Sequence, residues 1–431
     1  MTLKMDKNRL LIFVFIALAG IPVCMLGNST VGLLFSLFIF AVIFYEAKFS
    51  FFTIISFLLV FTFLQVWVQD LYGNAYGMIQ NAHYKIPLYV SIHLTCMLTF
   101  FDTLLFFIFF TDIIKNEKRI YCKKITLNSV TTVVFILAAI ILVIALFPSV
   151  PNFVLSNRRT QGISGTYGFV VVCLLLTSLT VDTSFEHKQL WVAYVFIVFW
   201  FLGHGERVDV LGFVSYFILK LFNRNNDKNE GQRHKDGMKD FLKRFKLYII
   251  LFIFLMFCIW IGVYRTGNGS KFNFFDILQK MFVQATAGDV VYVYECSVDM
   301  WMKGNLTHGI TYLDWLAQFI PGASTPYMAG VYIRQYYFTM GGGFFFFEPM
   351  MNFGMVGVLV TNIVFCCWYW FVTKKPSIIR CMAFIPMVIE VFRTAWYGRG
   401  AWILASCIEV PMLYLLIKYF LNNVRVSRVI K

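Results

Sequence analysis

The sequence predicts an all-α polytopic membrane protein: a bundle of about twelve transmembrane helices with a large extracytoplasmic loop folded as a cap. Three observations carry this expectation. Hydrophobic residues fill 59% of the 431 positions and charged residues only 14%, whereas a soluble domain carries roughly 25% charged residues. Apolar runs such as Leu10–Met25 and Asn128–Phe147 recur along the chain, each close to the ~20 residues that cross a bilayer. Lysine and arginine gather in alternate connections between the runs, the asymmetry that orients membrane helices.

In chain order, run length and breaks place spans at Leu10–Met25, Thr30–Tyr45, Phe49–Val68, Pro87–Phe110, Asn128–Phe147, Gly165–Val181, Leu190–Leu202, Val208–Phe222, Leu247–Tyr264, Gly343–Val372, Ile379–Ala395 and Ala401–Phe420. The seventh is short enough to be a broken helix. The tenth is long enough to tilt or to begin outside the bilayer. The first is expected to stay as a span, because no small-residue cleavage site follows it and further spans come at once. The stretch 223–246 is polar and charged, with Phe241 and Phe245 as its only aromatic residues, and reads as a solvated cytoplasmic linker. The 10 cysteines lie mostly inside apolar runs and read as packing residues, Cys296 being the clearest loop cysteine. The chain thus divides into an N-terminal bundle (1–264), an outer loop (265–342) and C-terminal spans with a tail (343–431).

Charge assigns the two faces. With both termini cytoplasmic, the inner segments hold 26 of the 37 lysines and arginines, and 11 lie outside. The net charge of +15 therefore belongs largely to inner loops and implies no nucleic-acid partner. Of the 11 outer cations seven are arginine: Arg158, Arg159, Arg207, Arg265, Arg334, Arg393 and Arg399. Topogenic charge does not distinguish lysine from arginine, so this bias needs another cause. Arginine's planar fork binds phosphate or carboxylate through two parallel hydrogen bonds. The bland alternative is snorkelling to the membrane interface. Seven on one face, several beside glycines, favour an anion site.

The outer loop is electrically balanced. Arg265, Lys271, Lys280, Lys303 and Arg334 face Asp276, Asp289, Glu295, Asp299 and Asp314. Its many tyrosines and tryptophans, Tyr292, Trp301, Tyr312, Trp315 and Tyr332 among them, make it too aromatic for a disordered tail.

Four short patterns carry candidate chemistry. Gly203-His204-Gly205-Glu206-Arg207 joins two spans and puts Arg207 at a helix start, where the dipole favours an anion; its plainer reading is a hairpin with a Glu206–Arg207 surface pair. Gly341-Gly342-Gly343 leads through four phenylalanines to Glu348-Pro349 and then to Asn352, Gly354 and Gly357. Glu348 sits in an apolar block, where a carboxyl is costly to keep and is either a proton-transfer group or an arginine's structural partner. Arg393 to Gly400 again sets Arg393 and Arg399 among aromatics and glycines. Tyr332-Ile333-Arg334 presents a further arginine between aromatic faces, and His308 is the loop's only histidine. No cluster has metal-ligand spacing and no phosphate-loop or dinucleotide fingerprint occurs, which disfavours an ATP-driven pump.

These patterns together resemble the Wzy-type polymerases of O-antigen and capsular polysaccharide. The resemblance rests on the many-span layout, the Gly-His-Gly-Glu-Arg turn ending in Arg207, the long outer loop, and the glycine-rich entry to Glu348, Asn352, Gly354 and Gly357. The chain departs from the pattern in having Pro349-Met350-Met351 where a tyrosine often stands near the glutamate. The resemblance implies a GT-C-type membrane glycosyltransferase that needs neither a cofactor nor a metal. Such an enzyme moves a glycan from undecaprenyl pyrophosphate onto the non-reducing end of the next lipid-linked oligosaccharide unit, outside the bacterial cytoplasmic membrane. Its expected associates are membrane lipid, a flippase and a chain-length regulator of the same pathway. In this scheme Arg207, Arg334 and Arg399, helped by Arg265 and Arg393, hold the departing pyrophosphate. Glu348, or failing it His308, takes the acceptor proton. Two alternatives remain at this stage: an O-antigen ligase with the same layout, and a flippase or secondary transporter of lipid-linked sugars.

Overall fold

A computed structural model of the chain describes residues 6–73, 77–122, 188–204, 207–229, 285–317, 324–339, 342–375 and 377–397, with isolated positions between 137 and 148, at 282 and between 403 and 419. Regular structure among the described residues is helical throughout, and five helices are long and apolar enough to cross a membrane. The expected fifth, sixth, ninth and twelfth spans fall largely outside the described residues. The chain forms two units: Met1–Glu117 with Met281–Lys374 and Val391–Ala401, and Lys118–Lys280 with Lys375–Glu390 and Trp402–Lys431.

The first unit opens with four helices whose ends are written in the sequence. α1 (Lys7–Leu26) starts at Asp6, whose carboxylate accepts from Asn8 N at 3.0 Å, and stops at Gly27 in the left-handed region. α2 (Ser29–Ala47) starts at Asn28, which accepts from the amides of Thr30 and Val31. α3 (Phe51–Tyr72) is capped by Ser50, and α4 (Pro87–Phe110) begins on a proline that needs no amide partner there. Between α3 and α4 a 3₁₀ turn spans Met78–Asn81. α5 (Ile113–Cys122) follows, and its Glu117 accepts from the Phe51 amide at 2.8 Å.

Contacts fix the directions of these helices. Trp67 Nε1 donates to Thr30 Oγ1 at 3.1 Å, and Ser29 donates to Asp70, so α2 begins where α3 ends. At the opposite end Arg9 pairs with Glu46 at 2.8 Å. The tenth expected span is α11 (Phe347–Thr373), which runs parallel to α4: Cys96 meets Met355, Asn362 Nδ2 donates to Thr99 Oγ1 at 3.3 Å, and Phe100 meets Phe365. Its far end packs Tyr369 on Phe51, ring centroids 4.8 Å apart.

The exposed faces of these helices are as apolar as the buried ones. On α1 Leu11, Phe15, Leu18 and Met25 are exposed, and on α11 Val356, Val360, Ile363 and Val364 form an exposed stripe. A helix apolar all round belongs in a membrane or a deep core. Exposure excludes the core, which leaves the pattern of helices suited to a membrane.

The stretch expected to form an outer cap contributes a packed helix to this unit. α8 (Ala285–Met302) lies against α3 and α11, burying Val291, Val293, Tyr294 and Val298. α9 (Ile310–Ala317) and a short turn, α10 (Ala329–Tyr332), continued by a 3₁₀ turn at Ile333–Gln335, complete its described part.

The eleventh expected span is two helices. α12 (Ile378–Ile389) ends at Glu390, whose amide closes on Pro386 O at 2.8 Å, and α13 (Val391–Tyr397) follows. Pro386 offers no amide of its own to the ladder, which weakens the helix there. The break separates the units: α12 belongs to the second and α13 to the first. The second unit also holds α6 (Lys188–Gly203) and α7 (Arg207–Asn229). α7 crosses α12 so closely that a Cβ on Gly212 would stand 1.8 Å from Ile389 O. Only glycine fits that crossing.

Candidate functional site

The site is a buried polar seam at the start of α11. Glu348 is 0% exposed, and its Oε1 accepts from Thr311 Oγ1 at 2.8 Å. Asn352 lies one helical turn further on the same face, as the i, i+4 spacing requires. Its amide nitrogen donates to Thr311 Oγ1 at 2.7 Å and to Glu348 O at 2.8 Å. Its carbonyl oxygen accepts from Thr307 Oγ1 at 2.6 Å and from the Gly309 amide at 2.8 Å. Two backbone bonds extend the seam, Thr307 N to Met351 O at 3.1 Å and His308 N to Asn352 O at 3.2 Å. The first turns of α11 therefore grip residues 307–311 through side chain and main chain alike.

Two local features allow this grip. Gly354 interrupts α11 with φ 61° and ψ −147°, so the turns carrying Glu348 and Asn352 leave the line of the membrane helix. His308 takes φ 48°, unusual for a residue with a side chain. Around the seam the packing is aromatic. Tyr312 lies near parallel to Phe353 and edge-on to Trp315, and Phe344 to Phe347 are all buried. Burial and the nearby Glu348 carboxylate push the Tyr312 hydroxyl pKa up. α9 then holds the next segment, because Tyr327 N donates to Asp314 at 2.5 Å.

A second polar group sits on α8. Asp289 accepts from the Met78 amide at 2.7 Å. Glu295 Oε1 accepts from the His83 amide at 2.6 Å and pairs with His83 Nδ1 at 2.8 Å. One turn later Asp299 pairs with Lys303 at 2.6 Å and accepts from the Tyr337 hydroxyl. Burial raises the pKa values of Asp289 and Glu295, against the opposing pull of the Met78 and His83 hydrogen bonds. Burial acts on Asp299 too, yet the bonds from Lys303 and Tyr337 outweigh it and lower its pKa. Burial pushes the Cys296 thiol up to about 12.

The first unit holds four of the residues singled out from the sequence. Glu348 is sealed within the seam and His308 is exposed at its edge. Arg334 is exposed on the 3₁₀ turn beyond α10. Arg393 is half-buried on α13, its guanidinium 5.7 Å from the Tyr397 ring. The chain leading to Glu348 is tied to that helix, with Phe345 N donating to Ala395 O at 2.9 Å. Arg207 opens α7 in the second unit. Arg265 and Arg399 lie outside the described residues.

Sequence reasoning gave no role to Thr311, Asn352, His83 or Asp299. The signal for Asn352 was present, four residues after Glu348 in a helix-forming run. No pattern in the sequence pairs His83 with Glu295.

No family model, curated protein or solved structure matches this chain. The fold points to a class, a helical protein embedded in a membrane. Among the described residues five helices are long and apolar enough to span, and a buried polar seam lies at the start of one of them.

Proposed function

We propose that the protein is a metal-independent membrane glycosyltransferase of the GT-C type, a Wzy-like polymerase. It transfers a growing glycan from undecaprenyl pyrophosphate to the non-reducing end of the next lipid-linked repeat unit, on the outer face of a bacterial cytoplasmic membrane. The substrate joins a long apolar tail to a polar, doubly phosphorylated glycan. The observation that carries the reading is a matching change of character along α11. Its apolar stripe begins at Phe353, 44% exposed, immediately beside fully buried Asn352 and the Glu348 seam. On the segment after α9, Tyr327 and Tyr336 are exposed, with Arg334 between them in sequence.

In this reading the apolar stripe receives the polyprenyl chain, and aromatic faces stack on sugar rings. Arg207, Arg334 and Arg399, helped by Arg265 and Arg393, are assigned to the pyrophosphate. Negative charge grows there as the glycosidic bond breaks, and preorganised guanidinium groups lower the barrier. Glu348 and Asn352 hold the 307–311 segment in place. A flippase supplies the units and a chain-length regulator stops growth.

Lipid-linked glycans from cells lacking the protein test the reading. Loss of a polymerase leaves single repeat units on the surface acceptor. Polymer stranded on its carrier indicates a ligase, and units trapped inside indicate a flippase; either result overturns the proposal.

A further inference from the structure

We propose that His83 and Glu295 form a general-base dyad, with His83 taking the proton from the acceptor hydroxyl. The inference rests on the glycosyl-transfer reading and names the base for that reaction. Glu348 is 0% exposed, so a sugar hydroxyl reaches it only if α9 parts from α11. A base must stand within hydrogen-bond reach of the proton it removes. The side chain of His83 is 67% exposed, while its carboxylate partner is 3% exposed.

The pairing sets the ring for this task. Glu295 Oε1 lies 2.8 Å from His83 Nδ1, which favours the tautomer with the proton on Nδ1 and leaves Nε2 as the acceptor. Tyr89 stacks on the imidazole, centroids 5.9 Å apart and planes at 28°, which limits its rotation. The connection that carries His83 is itself pinned to α8 twice, through Met78 N on Asp289 and His83 N on Glu295. The groups facing the imidazole are Glu295 and Asp299 from α8 and Tyr89 from α4; Asp299 is in turn bonded to Lys303 and Tyr337. Glu295 Oε2 is buried and makes no hydrogen bond among the described residues. A cation formed on His83 during the reaction therefore meets a carboxylate with attraction to spare.

The step balances. The acceptor oxygen forms a bond to the anomeric carbon and its proton passes to His83 Nε2. The bond between that carbon and the pyrophosphate oxygen breaks, and undecaprenyl pyrophosphate leaves with the electron pair. The imidazolium afterwards returns its proton to water.

The test uses the full-length protein in vesicles with a polyprenyl-pyrophosphate-linked repeat unit. His83→Gln keeps the backbone bond to Glu295, so it removes the base without freeing the connection. The expected result is a fall in kcat of about 10²–10⁴-fold, with KM and melting temperature unchanged and the acid limb of the pH–rate profile lost. Glu295→Gln is expected to lower kcat less, because the amide oxygen still accepts from Nδ1 but carries no charge to balance the imidazolium. A His83→Gln variant with wild-type kcat and pH profile overturns the dyad while leaving the polymerase reading intact. If the wild-type protein extends no glycan, the polymerase reading falls, and with it the assigned step. Nitrogen-15 NMR of labelled histidine decides the pairing separately: a dominant Nε2–H tautomer at His83 overturns the dyad whatever the activity.

Discussion

Trp301 and Gly354 compete for one space. A Cβ on residue 354 would stand 2.4 Å from Trp301 Nε1, and the backbone there has φ 61°. The indole of α8 thus fills the notch where α11 breaks, and the break turns Glu348 and Asn352 toward residues 307–311. Gly354→Ala meets both a steric and a conformational penalty, together about 2–4 kcal/mol. Gly304 is the control: its φ is 75° but nothing lies within 4 Å of its Cβ position. Gly304→Ala should cost only about 1 kcal/mol. Thermal unfolding of the two variants in detergent gives the comparison. Equal melting temperatures would show that Trp301 yields without cost.

Asn352 uses both ends of its amide on the seam, bonding Thr311, Glu348 O, Thr307 and Gly309. Asn352→Leu preserves bulk and removes every one of these bonds. Buried partners left unmet cost about 1–3 kcal/mol each when water does not replace them. The expected outcome is loss of order in residues 307–311. Hydrogen exchange at the Gly309 amide reports it directly, because that amide bonds Asn352 Oδ1. Unchanged protection in Asn352→Leu would mean that the main-chain bonds to Met351 O and Asn352 O suffice.

The long helices were legible in the sequence and the site was legible only in part. Runs near bilayer length fixed Pro87–Phe110 to the residue, and α1, α2 and α3 to within a few residues, because capping groups such as Asp6, Asn28 and Ser50 sit where apolar runs begin. The break at Glu390 was missed, since apolar residues flank that single carboxylate closely on both sides. α8 was read as loop because Asp289, Glu295 and Asp299 dilute its hydropathy, yet these carboxylates share a side of the helix and leave the opposite side free to pack. Glu348 was visible as a charge in an apolar block. Its partner Thr311 was not, because contacts between residues 37 apart follow from the chain path and leave no local pattern.

Stability should depend on pH through α8. Asp289 has a raised pKa, caused by burial and only partly offset by the Met78 amide. An acid with a raised folded pKa binds more protons folded than unfolded, so its contribution falls as pH rises from about 4, the unfolded carboxylate value, through the folded value. Asp299 has a lowered pKa, so its contribution is present above about 4 and is lost as pH falls through the folded value. Asp289→Asn keeps an oxygen for the Met78 amide and removes the titration. The melting temperature of that variant should decline less than that of wild type above pH 4. Asp299→Asn should instead lose stability above pH 4 and converge with wild type in acid. Parallel curves for all three proteins would show that neither carboxyl governs the response.

Glu348 separates a structural role from a chemical one. Its Oε1 accepts from Thr311, which an amide oxygen does equally well. Glu348→Gln therefore keeps the seam but cannot take a proton as a carboxylate does. If Glu348 holds the site together, Glu348→Gln should extend lipid-linked glycan at a rate within about fivefold of wild type, since one neutral hydrogen bond for a charged one differs by roughly 1 kcal/mol or less at an unchanged geometry. Glu348→Ala leaves Thr311 and Asn352 with a void and should lose both stability and glycan extension. Measured together in vesicles, near-normal rate in the glutamine variant and a collapsed rate in the alanine variant support the structural role. A loss of about 10²-fold or more in Glu348→Gln at unchanged melting temperature makes the carboxylate itself the proton acceptor, and His83 then has no base to supply.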